Sequence, residues 1–75
     1  MDRHAIGRNI KSELRKKGWT TRRLSQELNL CETTVSNWIL GRRIPSAYGL
    51  YRIARTFRIP MEHLMRGVDG DEKKD

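Results

Sequence analysis

The sequence offers no material for a membrane span, a disulfide framework or a sheet. No stretch comes near the roughly 18 apolar residues that cross a bilayer. The opening Met-Asp-Arg-His holds no apolar signal segment, so neither insertion nor secretion is expected. A single cysteine, Cys31, cannot close an internal bridge, which fits a reducing, cytoplasmic setting. Two prolines and six glycines stand against 36% hydrophobic residues, too few breakers and too much apolar material for a disordered linker. Strand-like alternation of polar and apolar residues is missing as well. At 75 residues the chain can fill one hydrophobic core, and it is too small to wall off a large catalytic pocket.

Positive charge is what the chain has in quantity. Sixteen Lys and Arg against nine Asp and Glu give +7. After Gly67, four carboxylates face two lysines for a net −2, which leaves +9 on residues 1–67. A small domain this basic attracts polyanions, nucleic acid first and anionic membrane surfaces second. Charge alone does not choose between them. Residues 68–75 are polar and short, and are expected to form a frayed or disordered tail outside a domain of residues 1–67.

Within that domain the apolar spacing is helical. Ile6, Ile10 and Leu14 recur every four residues until Gly18 ends the run. Thr20 can cap a second helix whose inner face holds Leu24 and Leu28. Asn29 falls where a left-handed residue is needed, and Asn tolerates that conformation; Leu30 is expected to be buried at the corner. A third helix spans Glu32 to about Leu40, with Val35, Trp38 and Ile39 inward and Gly41 at its end. Pro45 and Ser46 start a fourth helix with Leu50, Ile53, Ala54 and Phe57 as its inner stripe. Arg58-Ile59-Pro60 breaks it, and Met61, Leu64 and Met65 suggest a short fifth helix. The fold class is all-α, with about five helices.

Residues 20–41 are more specific than an ordinary helical pair. Two short helices meet at a turn of about three residues, and Ser25 is small where the helices must cross closely. Such a pair holds its second helix proud of the domain, free to enter the major groove of DNA. Several further markers stand in one register: Gly18-Trp19-Thr20, Leu24-Ser25, Thr34-Val35-Ser36-Asn37-Trp38, Gly41-Arg42-Arg43-Ile44-Pro45-Ser46 and Leu50-Tyr51-Arg52-Ile53-Ala54. With them the chain resembles the phage-repressor-type helix-turn-helix family, the Cro/CI-like or lambda-repressor-like regulators, from Ile6-Gly7 to Leu64 without gaps. The resemblance implies a compact five-helix fold, sequence-specific binding to double-stranded DNA and, usually, transcriptional control as a dimer. Three departures stand out: Ser25 replaces the family's usual alanine, Asn29 its usual glycine, and Leu14 with Ile39 replaces a frequent Arg–Glu ion pair. Replacing both partners of a buried pair with hydrocarbon strands no charge, so Leu14 is expected to pack on Ile39.

The outward positions of the third helix, Glu32, Thr33, Ser36 and Asn37, are the candidate base readers. An Asn amide suits the N6/N7 edge of adenine, Thr and Ser bond either base type, and the Thr33 methyl can touch thymine. Glu32 could accept from cytosine N4, or simply complement the positive end of its helix. Arg22 and Arg23 oppose the dipole in the first turn of the second helix; they serve phosphate there or lie on the surface as long cations. Arg42 and Arg43 follow the third helix; they complement its negative end, and phosphate contact is the favoured reading, because the loop after a recognition helix usually runs along the DNA backbone. Thr20, Thr21 and Thr34 are caps or surface hydroxyls, and phosphate donors in the docking that the resemblance implies.

Nothing points to catalysis, a cofactor or a small-molecule ligand. His4, Cys31 and His63 lack metal-ligand spacing, and no phosphate-binding glycine loop, nucleophile elbow or paired catalytic carboxylates appear. Trp19, Trp38 and Phe57 are core anchors by helical phase, while Tyr48 and Tyr51 are open. Met61, Leu64 and Met65 either close the core or offer a homodimer patch. The leading expectation is a cytoplasmic, nucleoid-associated, non-enzymatic repressor that binds a palindromic operator as a dimer. The competing ones are an interaction module such as an antitoxin, and a non-specific binder of RNA or anionic lipid.

Overall fold

Asp2 opens the first helix: its carboxylate accepts the His4 amide at 3.0 Å and the Arg8 guanidinium at 3.0 Å. The Arg8 bond, followed by the His4 amide, holds that carboxyl below its ordinary pKa. The computed structural model describes residues 2–68, apart from the Arg3 side chain. It contains α1 (Arg3–Lys17), α2 (Thr21–Leu28), α3 (Glu32–Ile39), α4 (Ala47–Phe57) and α5 (Met61–Met65), with no strand among the described residues. Residues 69–75, most of the expected tail, lie outside the described region.

One device stops four of the helices. After α1, α2, α3 and α4, a residue of positive φ (Gly18, Asn29, Gly41 and Arg58) turns the chain. The next amide then reaches back five residues, as from Trp19 to the Leu14 carbonyl at 2.9 Å and from Leu30 to Ser25 at 2.9 Å. These bonds satisfy the orphan carbonyls of each last turn. Thr20 and Ser46 cap the starts of α2 and α4 through 3.0 Å bonds from Arg23 and Gly49.

The core gathers Ile6, Ile10 and Leu14 from α1, Leu24 and Leu28 from α2, Val35 and Trp38 from α3, and Leu50, Ile53, Ala54 and Phe57 from α4. Trp19 packs against it, 5.8 Å from the Phe57 ring. The α1–α3 crossing is so close that a Cβ on Gly7 would strike the Ile39 carbonyl. Leu14 is buried and Ile39 packs on the same core, so hydrocarbon occupies the place where the resembling family puts an ion pair. Ser25 is buried and donates its hydroxyl to the Arg22 carbonyl at 2.7 Å, which satisfies its polar atom at the crossing.

Two expectations need correction, and one open alternative narrows. Leu30 is 37% exposed; the corner requires its amide for the turn bond, and the side chain projects from the outer side of the bend. Val68 belongs to the domain and not to the tail: it is 7% exposed, and its carbonyl accepts the Asp2 amide at 2.7 Å. Leu64 is fully buried in the core, so of the supposed dimer patch only Met61 and Met65 keep surface. Asn9 fixes α5 by donating to the Leu64 and Arg66 carbonyls at 2.7 and 2.9 Å, leaving Leu64 no freedom to turn outward.

Candidate nucleic-acid interface

The third helix stands where its sequence pattern requires. Val35 and Trp38 point into the core, and α1 and α2 both pack against α3. The opposite side is open to solvent: Glu32 and Thr33 are exposed, and Ser36 and Asn37 are half-buried at their bases. All four candidate base readers line one shallow hollow of about 290 Å³, joined there by Arg42. A second hollow, about 300 Å³, is lined by Thr34, Asn37, Trp38, Arg43 and Ile44. Asn37 therefore sits on the ridge between them, with one arginine of the Arg42-Arg43 pair on each side.

Main-chain bonds place those arginines. The amides of Arg42 and Arg43 both reach the Asn37 carbonyl, at 2.9 and 3.3 Å, so the loop folds back under the end of α3. Both side chains are exposed. The Asn37 backbone thus serves the loop, and its side-chain amide stays available to a ligand.

The candidate phosphate residues of α2 fall into two groups. Thr20 accepts the Arg23 amide, which leaves its O–H free to donate. Thr20 and half-buried Thr21 line a cleft of about 360 Å³ together with Ser36, Ile39 and Leu40. That cleft links the start of α2 to the flank of α3. Arg22 is exposed and has no ion-pair partner among the described residues. Arg23 is already engaged: Nε donates to Glu27 at 3.0 Å, and the guanidinium lies 4.5 Å from the Trp19 ring centroid. This contact offsets some of the unfavourable charge at the helix start and leaves Arg22 the more available cation.

Lys11 and Arg15 of α1 flank the same cleft, and neither carries a marker of a site in the sequence alone. Their signal is a polar pair four residues apart on either side of Leu14, visible only once α1 is known to border α2 and α3. Elsewhere the carboxylates are mostly matched: Asp2 with Arg8, Glu13 with Lys16 and Glu27 with Arg23. Glu32, like Glu62, is an exposed carboxylate without an ion-pair partner among the described residues. Cys31 is exposed and makes no side-chain cap for α3. No group of side chains suited to a metal ion occurs among the described residues. No helix there is long and apolar enough to cross a membrane.

One comparison with known proteins agrees with this geometry. A family model described as helix-turn-helix matches residues 10–64, well over half of the chain. Comparison with curated proteins returned no match.

Proposed function

The chain belongs to the Cro/CI-like helix-turn-helix family of DNA-binding transcriptional regulators, and from that premise we propose that it is a repressor that reads a palindromic operator as a homodimer. Two copies of α3 enter successive major grooves about 34 Å apart. Asn37 bonds the adenine N6/N7 edge, Thr33 and Ser36 bond neighbouring base edges, and Glu32 accepts from cytosine N4 while disfavouring bases that present only acceptors. Arg42, Arg43 and Arg22, with the hydroxyls of Thr20, Thr21 and Thr34, hold the flanking phosphates. Arg23 adds charge from its place over Trp19. Exposed Met65 and half-buried Met61 support the dimer contact.

The observation that carries this reading is the convergence of Glu32, Thr33, Ser36, Asn37 and Arg42 on one solvent-open hollow. Four of them are short or medium polar side chains on one helix, of the types that read base edges, and the fifth is a cation suited to phosphate. Selection from random duplex DNA tests it directly. The expected result is an enriched site with two half-sites related by a dyad. An unenriched pool overturns the specific reading, and enrichment of a single half-site overturns the dimer.

A further inference from the structure

Helix α4 buries Leu50, Ile53, Ala54 and Phe57 and presents a different stripe to solvent. Tyr48, Tyr51, Arg52 and Arg55 follow the spacing i, i+3, i+4, i+7, which aligns them on one helical face. Tyr48 is 69% exposed and Tyr51 47%. Their rings are stacked at an interplanar angle of 25°, with centroids 6.3 Å apart. The Arg52 guanidinium lies 6.0 Å from the Tyr48 centroid and that of Arg55 lies 5.7 Å from Tyr51. Arg55 also donates to the Tyr51 hydroxyl at 3.1 Å, and Arg52 to the Leu28 carbonyl at 2.6 Å. With Thr56 these side chains line a hollow of about 300 Å³. Long side chains held this way lose less freedom when something binds.

We propose that this face docks an acidic protein segment, which sets an apolar side chain against the tyrosine rings and carboxylates against Arg52 and Arg55. Composition is the first reason. Tyr and Arg are the types enriched at binding hot spots and Lys is depleted at interfaces; the stripe has two of each and no lysine. Charge is the second: the sequence holds no Asp or Glu between Glu32 and Glu62, so no carboxylate of α4 or its flanks answers these arginines. Duplex DNA fits less well. The hollow shares no lining residue with the two around α3, and the stacked bases of a duplex leave no open face for the two rings. A second copy related by a two-fold axis would bring the same stripe, which holds no carboxylate to answer these arginines. The proposal uses none of the residues that the DNA reading assigns.

Selection of displayed random dodecapeptides tests the proposal, using the protein saturated with duplex DNA so that the α3 face is covered. Enriched peptides are expected to carry an aromatic or aliphatic residue flanked by Asp or Glu. The best synthetic peptide should bind about tenfold or more weakly to the Tyr48→Ser/Tyr51→Ser variant, while that variant keeps its melting temperature and duplex affinity. The Arg55→Glu variant should reject this peptide and accept the version with Lys in place of its carboxylates. No enrichment, enrichment without carboxylates, or unchanged affinity in both variants overturns the proposal. A tenfold loss of duplex affinity in the tyrosine variant would assign the face to DNA, and loss of a dimer in sedimentation would assign it to a second copy; either result overturns it too.

Discussion

Helices α2 and α3 are both eight residues long and lie side by side, yet their polar groups are treated in opposite ways. At α2, Thr20 caps the start, Ser25 bonds the Arg22 carbonyl, and Arg23 is tied to Glu27 and Trp19. At α3, Cys31 gives no side-chain cap, and Glu32 has no ion-pair partner among the described residues. One helix ties several of its polar groups within the chain; the other leaves more of its donors and acceptors open. Unmatched polarity on a surface helix contributes little to stability, but it is what recognition of base edges requires. On the proposed reading the pair divides the labour, with α2 chiefly as the brace and α3 as the probe.

Substitutions can break this division, and the largest effect belongs to the brace. Leu24 is fully buried, so Leu24→Ala should cost about 2–5 kcal/mol of folding stability, read from denaturant unfolding. Next is the probe itself. Asn37→Ala should leave the unfolding midpoint nearly unchanged and weaken operator binding by about 1–3 kcal/mol, with relaxed preference at one base position. Arg42→Ala should weaken all duplexes alike and lower the slope of log affinity against log salt by about 1. If Asn37→Ala unfolds the domain, or Arg42→Ala alters preference at one base only, the division between brace and probe fails.

The caps give a smaller test with opposite signs. Thr20→Ala removes a bond that α2 uses and should cost about 1 kcal/mol. Cys31→Ser adds an acceptor where α3 has none and should gain up to about 1 kcal/mol. Thermal melts of the two variants should move in opposite directions; movement in the same direction would show that α3 is already satisfied by other means.

Much of this arrangement was legible before any coordinates. The four-residue spacing of Ile6, Ile10 and Leu14, the stop at Gly18, the turn at Asn29 and the caps at Thr20 and Ser46 are local signals, and each appears where the sequence places it. The outward phase of Thr33 and Asn37 followed from the inward phase of Val35 and Trp38. What escaped notice is long-range. Asn9 holds α5 through carbonyls more than fifty residues away, and Arg52 reaches the Leu28 carbonyl from another helix. No periodicity reports such bonds. Leu30 departs from its hydropathy for a related reason: apolar character assigns a preference for burial, but the turn geometry decides which side the side chain faces.

The smallest expected effect extends the comparison from α2 and α3 to α1, whose cap is the ionisable one. The Asp2 carboxyl has a pKa lowered from 3.8 by its bonds to Arg8 and the His4 amide. A depressed folded-state pKa means that the unfolded chain binds the proton more readily. The cap's stabilising effect is therefore fully present above the unfolded value, near 3.8, and fades as pH falls through the folded one. Asp2→Asn keeps an acceptor for the His4 amide but removes the titration and the attraction to Arg8. Melting temperature followed from neutral pH down to about pH 2 at low salt should fall less steeply for Asp2→Asn than for the parent. The two curves should converge at the acid end, where the parent's carboxyl is protonated too. Parallel curves would mean that the exposed ion pair is screened into insignificance, leaving the cap of α1 as indifferent to pH as the hydroxyl cap of α2.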